Sequence, residues 1–181
     1  AGASEWLFRG IVLDTAERER NAGSLDLKEA TAAYAHVTSD PWNAWAHYYL
    51  GLSLNDVFDG KGAAEAFRKA AAERPSESIV GHIEWELGNF ALDLENDPES
   101  ADAHFLAAEN AWQKIPQFRL LAAYRRTTAL IGRGRFREAL ANSLKLAVEH
   151  CGRRLQDLEL TIESTIPVAA GRNLAVLVEA A

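Results

Sequence analysis

Residues 44–75 read AWAHYYLGLSLNDVFDGKGAAEAFRKAAAERP. Apolar side chains recur at helical spacing on both sides of Asp59-Gly60-Lys61-Gly62, a run whose glycines predict a turn. Two helices joined by so short a turn lie antiparallel. Gly51 and Ala63 are small enough to let the pair approach closely, and Leu50, Leu54 and Phe67 are large enough to fill the space between them. Pro75 ends the second helix, because its nitrogen has no proton to donate and its ring clashes with the preceding turn. Packing accounts for all of these residues, and none needs a catalytic role.

The same spacing recurs along the chain. With residue 44 as origin, a second copy starts at His82 and places Trp85, Leu92, Ala101, Phe105 and Ala108 at matching offsets, with Gly88 displaced by one. A third copy starts at Leu120 and places Leu130 and Ala139, with Gly134 and Phe136 at its turn. The three starts are separated by an equal step of 38 residues, whose surplus lies in the connections SIVG and PQFR. Toward the N-terminus, Trp6, Gly10 and Leu13 fit the first helix of a pair, and Ala30 and Tyr34 fit the second after an insertion. Asn21-Ala22-Gly23-Ser24 is then the turn, and Ser24 or Asp26 the helix cap. The spacing predicts eight helices over 4–20, 25–38, 42–57, 61–74, 77–94, 98–114, 117–132 and 135–150. Trp6 and Trp85 are expected in the core.

Leu50, Gly51, Leu54, Ala63, Phe67, Ala70 and Pro75 fall in register with the tetratricopeptide pattern, and only the first aromatic position differs, where His47 stands. Over residues 3–153 the chain therefore resembles the tetratricopeptide repeat (TPR) family. That resemblance implies an all-α, right-handed superhelix of about four helical hairpins, with a concave face lined by the first helix of each pair. It also implies a groove for a peptide or protein partner, formed by Trp45, Tyr48, Leu52, Asn55 and Asp56, with Glu86, Phe90, Asp93, Tyr124 and Thr128 at equivalent offsets. Aromatic side chains there would anchor a peptide, and Asn55 would bond its backbone. Where some members carry the lysine and asparagine that clamp a C-terminal carboxylate, this chain has Tyr48 and Leu52, which disfavours that mode.

After Cys151 the repeat stops. In 154–181, Leu155, Leu158 and Ile162 make a helical stripe, whereas Leu158, Leu160 and Ile162 alternate with polar neighbours as a strand would. The appendage is thus strand or helix, either capping the stack or docking on another chain, and self-association through 155–181 is one expectation. Residues 166–181, centred on Gly171-Arg172-Asn173-Leu174-Ala175-Val176, resemble the C-terminal segment of HPr kinase/phosphorylase, where it follows a strand. A phosphate-binding loop of the form G-x-x-x-x-G-K-[ST] is missing from the chain, so no kinase activity is carried over.

The chain's 181 residues carry 19 basic and 26 acidic side chains, a net charge of −7 that argues against nucleic acid or an anionic membrane as partner. No apolar run reaches the length of a membrane span. A single cysteine rules out an internal disulfide and fits a reducing cytoplasm. There is no methionine even at position 1, so the expectation is a processed product, a trimmed chain or a fragment of a larger protein, with a tag remnant at residues 1–4 as one source of its first residues.

No metal, cofactor or catalytic constellation is expected. His82, Glu84 and Glu86 point to different sides of a helix, and the acidic run Asp93, Glu95, Asp97, Glu99, Asp102 has Pro98 where a calcium loop requires glycine. His150 and Cys151 are adjacent on a helix and diverge. The basic cluster Arg119, Arg125, Arg126, Arg133, Arg135, Arg137, Lys145, Arg153 and Arg154 reads as a solvated face, or as a surface for an acidic peptide or a second copy. The expected function is a non-enzymatic module binding a peptide or protein. The alternative is a sensing regulatory subunit with an enclosed pocket at Trp45, Tyr48 and Phe90, whose tail controls a partner such as a kinase.

Overall fold

The computed structural model describes residues 2–20, 26–37, 41–73 and 75–151. These form α1 (Ala3–Arg20), α2 (Lys28–Ala35), α3 (Asn43–Asp56), α4 (Gly60–Ala72), α5 (Glu77–Asp93), α6 (Pro98–Ala111), α7 (Pro116–Gly132) and α8 (Phe136–Cys151). The protein is all-α among the described residues, and every helix falls where the periodicity places it. The strand-or-helix segment 154–181, and with it the resemblance at 166–181, lies outside the described residues, as do Ser24, Arg153 and Arg154.

Three boundaries differ from the reading for physical reasons. The chain reverses at Val57-Phe58, not at Asp59–Gly62, because Asp59 caps α4: its carboxylate accepts from Gly62 N at 3.0 Å. A Cβ on Gly62 would stand 2.4 Å from that carboxylate, so the glycine makes room for the cap. α2 starts at Lys28, whose amide donates to the Asp26 carboxylate at 3.3 Å. α6 stops at Ala111, and its start is held by Asp97, which accepts from Glu99 N and Ser100 N at 3.2 and 3.1 Å.

The 38-residue step is visible in the backbone. Phe58, Asn96 and Gly134 occupy equivalent positions and all three have positive φ, at 63°, 51° and 69°. After the first and third of them, the next amide reaches five residues back: Asp59 N to Leu54 O and Arg135 N to Leu130 O, both 2.9 Å. This is the left-handed termination that satisfies the last carbonyls of a helix. Beyond each turn an alanine, Ala63, Ala101 or Ala139, is fully buried, and Ala30 is its counterpart near the N-terminus.

α1 packs on α2, α3 on α4, and α7 on α8. Close approach is made by the same device in the first two pairs. A Cβ on Gly10 would stand 2.4 Å from the Tyr34 ring, and one on Gly51 would stand 2.6 Å from the Phe67 ring. In α7 and α8 the glycine and aromatic give way to buried Thr127 and Ser143. There the Asn142 amide donates to Ala123 O at 2.7 Å and Thr127 Oγ1 at 2.8 Å, so a polar bridge replaces ring packing.

The chain divides into two compact units, Ala1–Phe90 and Ala91–Ala181. In the first unit one apolar cluster gathers Leu7, Ala30, Tyr34, Val37 and Ala46, and a second gathers Ala63, Phe67, Ile79, Ile83, Leu87 and Phe90. Leu50 packs on the former and Leu54 on the latter, so the two do not share one wedge. Trp6 and Trp85 are only partly buried. Trp6 stacks on His36 with ring centroids 4.5 Å apart and carries Arg9 over its face.

Ion pairs organise the second unit. Asp102 on α6 is 6% exposed and pairs with Arg126 of α7 (2.8 Å), with Arg133 just past the end of α7 and with Arg135 (3.3 Å) just before α8. Glu109 meets Arg126 at 3.5 Å and Lys145 at 3.7 Å. Arg119 pairs with Glu149, and Arg125 with Asp93 while lying over the Phe105 ring. Arg119, Arg125, Arg126, Arg133, Arg135 and Lys145 of the basic cluster are thus paired with acids of their own fold.

Candidate functional site

Ile11, Asp14, Thr15 and Arg18 are spaced so that they share one face of α1. Tyr49, Leu52 and Asp56 do the same on α3, and together with Tyr34 of α2 these side chains line a cavity of about 350 Å³, open to solvent, within the first unit. Its floor is polar. Ser53 Oγ donates to Asp14 Oδ2 at 2.6 Å and lies 3.0 Å from the Tyr49 carbonyl. Arg18 bridges two carboxylates, giving Nε to Asp14 and Nη2 to Asp56. The Asp14 hydrogen bond holds the guanidinium above its ordinary range, with burial opposing it.

Tyr34 is 2% exposed, and its buried hydroxyl lies beside Ser53. Burial first, then the negative charge of Asp14, pushes the phenol well above its usual range against an opposing hydrogen bond with Ser53, so it stays neutral. Tyr34 and Tyr49 are stacked with centroids 6.0 Å apart and wall one side of the cavity.

Of the residues named from the sequence, Leu52 and Asp56 line this cavity. Trp45 and Tyr48 pack on Tyr49, and Tyr48 also lies against Phe67 and His82, at 5.8 and 6.1 Å between centroids. Burial pushes the Tyr48 phenol up to about 12. Burial also raises the Glu86 carboxyl, opposed by its hydrogen bond with Asn89 and helped by the charge of Asp56, to about 7. Phe90 is a core residue, 5% exposed and 5.8 Å from the Phe67 ring, so it does not face a pocket with Trp45 and Tyr48. Asn55 is exposed at the end of α3. Asp93, Tyr124 and Thr128 belong to the second unit, where Asp93 is engaged by Arg125.

The α1 residues were not among those named, although the signal is present. Leu52 follows Gly51, and Asp56 lies five residues after it. The same offsets from Gly10 give Ile11 and Thr15. Among the described residues no group of three or more His, Cys, Asp or Glu side chains converges to hold a metal ion, and no helix is long and apolar enough to cross a membrane. In comparisons with known proteins, the chain matches no family model, no curated protein and no solved structure.

Proposed function

We propose that this chain is a non-enzymatic interaction module, a tetratricopeptide-like right-handed superhelix whose first helices offer a groove to a peptide or protein. The equal step in turns and buried alanines supports the repeat reading. The observation that carries the binding reading is the cavity between the facing sides of α1 and α3, which combines the apolar Ile11 and Leu52 with the polar Thr15 and Asp56. Peptide grooves combine a few apolar contacts with a small number of placed polar groups, which is the character of this lining. Its acids and its base are spent on one another, and no nucleophile stands beside a free base, so recognition suits the site better than chemistry.

The test is an array of peptides probed with the full chain, followed by affinity measurement in solution. Thr15 is exposed at the mouth of the cavity, so Thr15→Trp fills the space without disturbing the core. The variant is expected to keep its thermal midpoint and lose at least tenfold in affinity. Unchanged affinity in the folded variant refutes this site.

A further inference from the structure

α8 carries an apolar stripe that is largely uncovered. Leu144 is 52% exposed and Val148 71%, and with Phe136 and the half-buried Leu140 they follow one another at four-residue spacing, so they share one face of the helix. The two preceding hairpins show what lies against this region. At the offsets of Leu140 and Ala147, α4 has Ala64 and Ala71, which pack in one apolar cluster with Ile79, Ile83 and Leu87 of α5. α6 has Asp102 and Glu109 there, and both meet Arg126 of α7. In each case the next helix along the chain is the cover, and the two chemistries match: small apolar residues beneath isoleucine and leucine, acids beneath arginine. On α8 the same offsets are apolar, Ala147 is exposed, and the fitting cover is therefore an apolar helix.

The chain that follows α8 carries the side chains for it. Residues 73–76 join α4 to α5 and residues 112–115 join α6 to α7, so a few residues after Cys151 suffice to reverse direction. Gly152 stands where a helix end favours glycine. Folded back antiparallel, Leu155, Leu158 and Ile162 pass Val148, Leu144 and Leu140 in that order. A strand would fare worse, because every described element is a helix and none offers an edge to its backbone amides and carbonyls. A segment tethered by so short a connection also acts at an effective concentration on the order of millimolar, well above that of a second copy in dilute solution. We propose that residues 155–166 dock on α8 of the same chain as an added helix, with Leu155, Leu158 and Ile162 covering Leu140, Leu144 and Val148. The inference needs only the repeated hairpins and is independent of the peptide groove.

The experiment is disulfide trapping in the full chain. In a Cys151→Ser background, Leu144→Cys is combined in turn with Leu158→Cys, Ile162→Cys and Leu160→Cys, and mild oxidation is followed by non-reducing electrophoresis. An internal cross-link is expected from position 158 or 162, at a yield several-fold above that from position 160, which helical spacing places on the opposite face. Equal yields from all three positions, as a strand or an undocked tail would give, overturn the proposal, and so does the absence of any cross-link. Cross-links formed only between chains, read as a doubled mass, assign the face to a second copy and overturn it as well. A cycle of substitutions gives a readout that does not depend on introduced cysteines. Leu144→Asp and Leu158→Asp should each lower the thermal midpoint, and together they should lower it no further than the worse of the two, because both break one contact. Phe8→Asp, at a residue 68% exposed on α1, should instead add independently to Leu158→Asp. Full additivity between positions 144 and 158 overturns the docking.

Discussion

Replacing Phe58 with glycine should make this protein more stable. Phe58 has φ of 63° and its side chain is 96% exposed, so it carries the strain of a left-handed backbone with no packing in return. That conformation costs a residue with a Cβ about 1–2 kcal/mol. Glycine removes the strain but gives the unfolded chain more freedom, which takes back about 0.5–1 kcal/mol. The balance is a gain of about 0.5–1 kcal/mol, or roughly 1–4 °C in thermal midpoint for a chain of this size. The equivalent turn already uses Gly134, which has no neighbour that an added Cβ would meet and is there for its backbone alone. The assay is urea and thermal unfolding followed by circular dichroism, with Phe58→Ala as the control. The alanine keeps the strain and loses a side chain that touches little, so it should stay within about 0.5 kcal/mol of the parent. If the glycine variant proves less stable than the alanine variant, strain at Phe58 is not what the turn costs, and the reasoning fails.

Other substitutions probe the packing and the charges. Asp102→Asn leaves Arg126, Arg133 and Arg135 around a neutral amide and should cost about 3–5 kcal/mol in urea unfolding. Lys69→Ala, which removes an exposed pair with Glu65, should cost under about 1 kcal/mol in the same assay. Gly51→Ala puts a methyl 2.6 Å from the buried Phe67 ring, so a loss of about 1–3 kcal/mol is expected, with part of it recovered by adding Phe67→Leu. Glu86 has a folded-state pKa of about 7, above its ordinary 4.5, so the folded state holds the proton more tightly. Its contribution to stability is present below about pH 4.5 and is lost as pH rises toward 7; Glu86→Gln should therefore gain stability relative to the parent across that window in unfolding measured pH by pH.

The helices were legible because each carries its own spacing of apolar residues, whereas Asp59 and Asp97 as caps, and Pro98 and Pro116 at helix starts, went unread although the residue types were in view. The site was legible only in part. Offsets from Gly51 pointed to Leu52 and Asp56, but whether a side chain on that face meets solvent or another helix depends on what packs against it. Phe90 has the right offset and is covered. Asp14 and Arg18 look in sequence like ordinary helix-surface charges, and their role emerges only when Ser53 and Asp56, far along the chain, are brought to them. The ion pairing of the basic cluster was hidden for the same reason. A count of arginines does not reveal that Asp102 and Glu109, from the preceding helix, lie within reach of their guanidinium groups.

The left-handed turns also have a consequence for chirality. At residues 58, 96 and 134 the backbone adopts the conformation that a mirror-image amino acid prefers, so handedness and not composition is the mismatch at Phe58. A D-alanine placed there by chemical synthesis would sit without strain and would not loosen the unfolded chain as glycine does. Three residues as unlike as phenylalanine, asparagine and glycine fill one structural role because the fold specifies a backbone shape at that point and leaves the side chain unassigned.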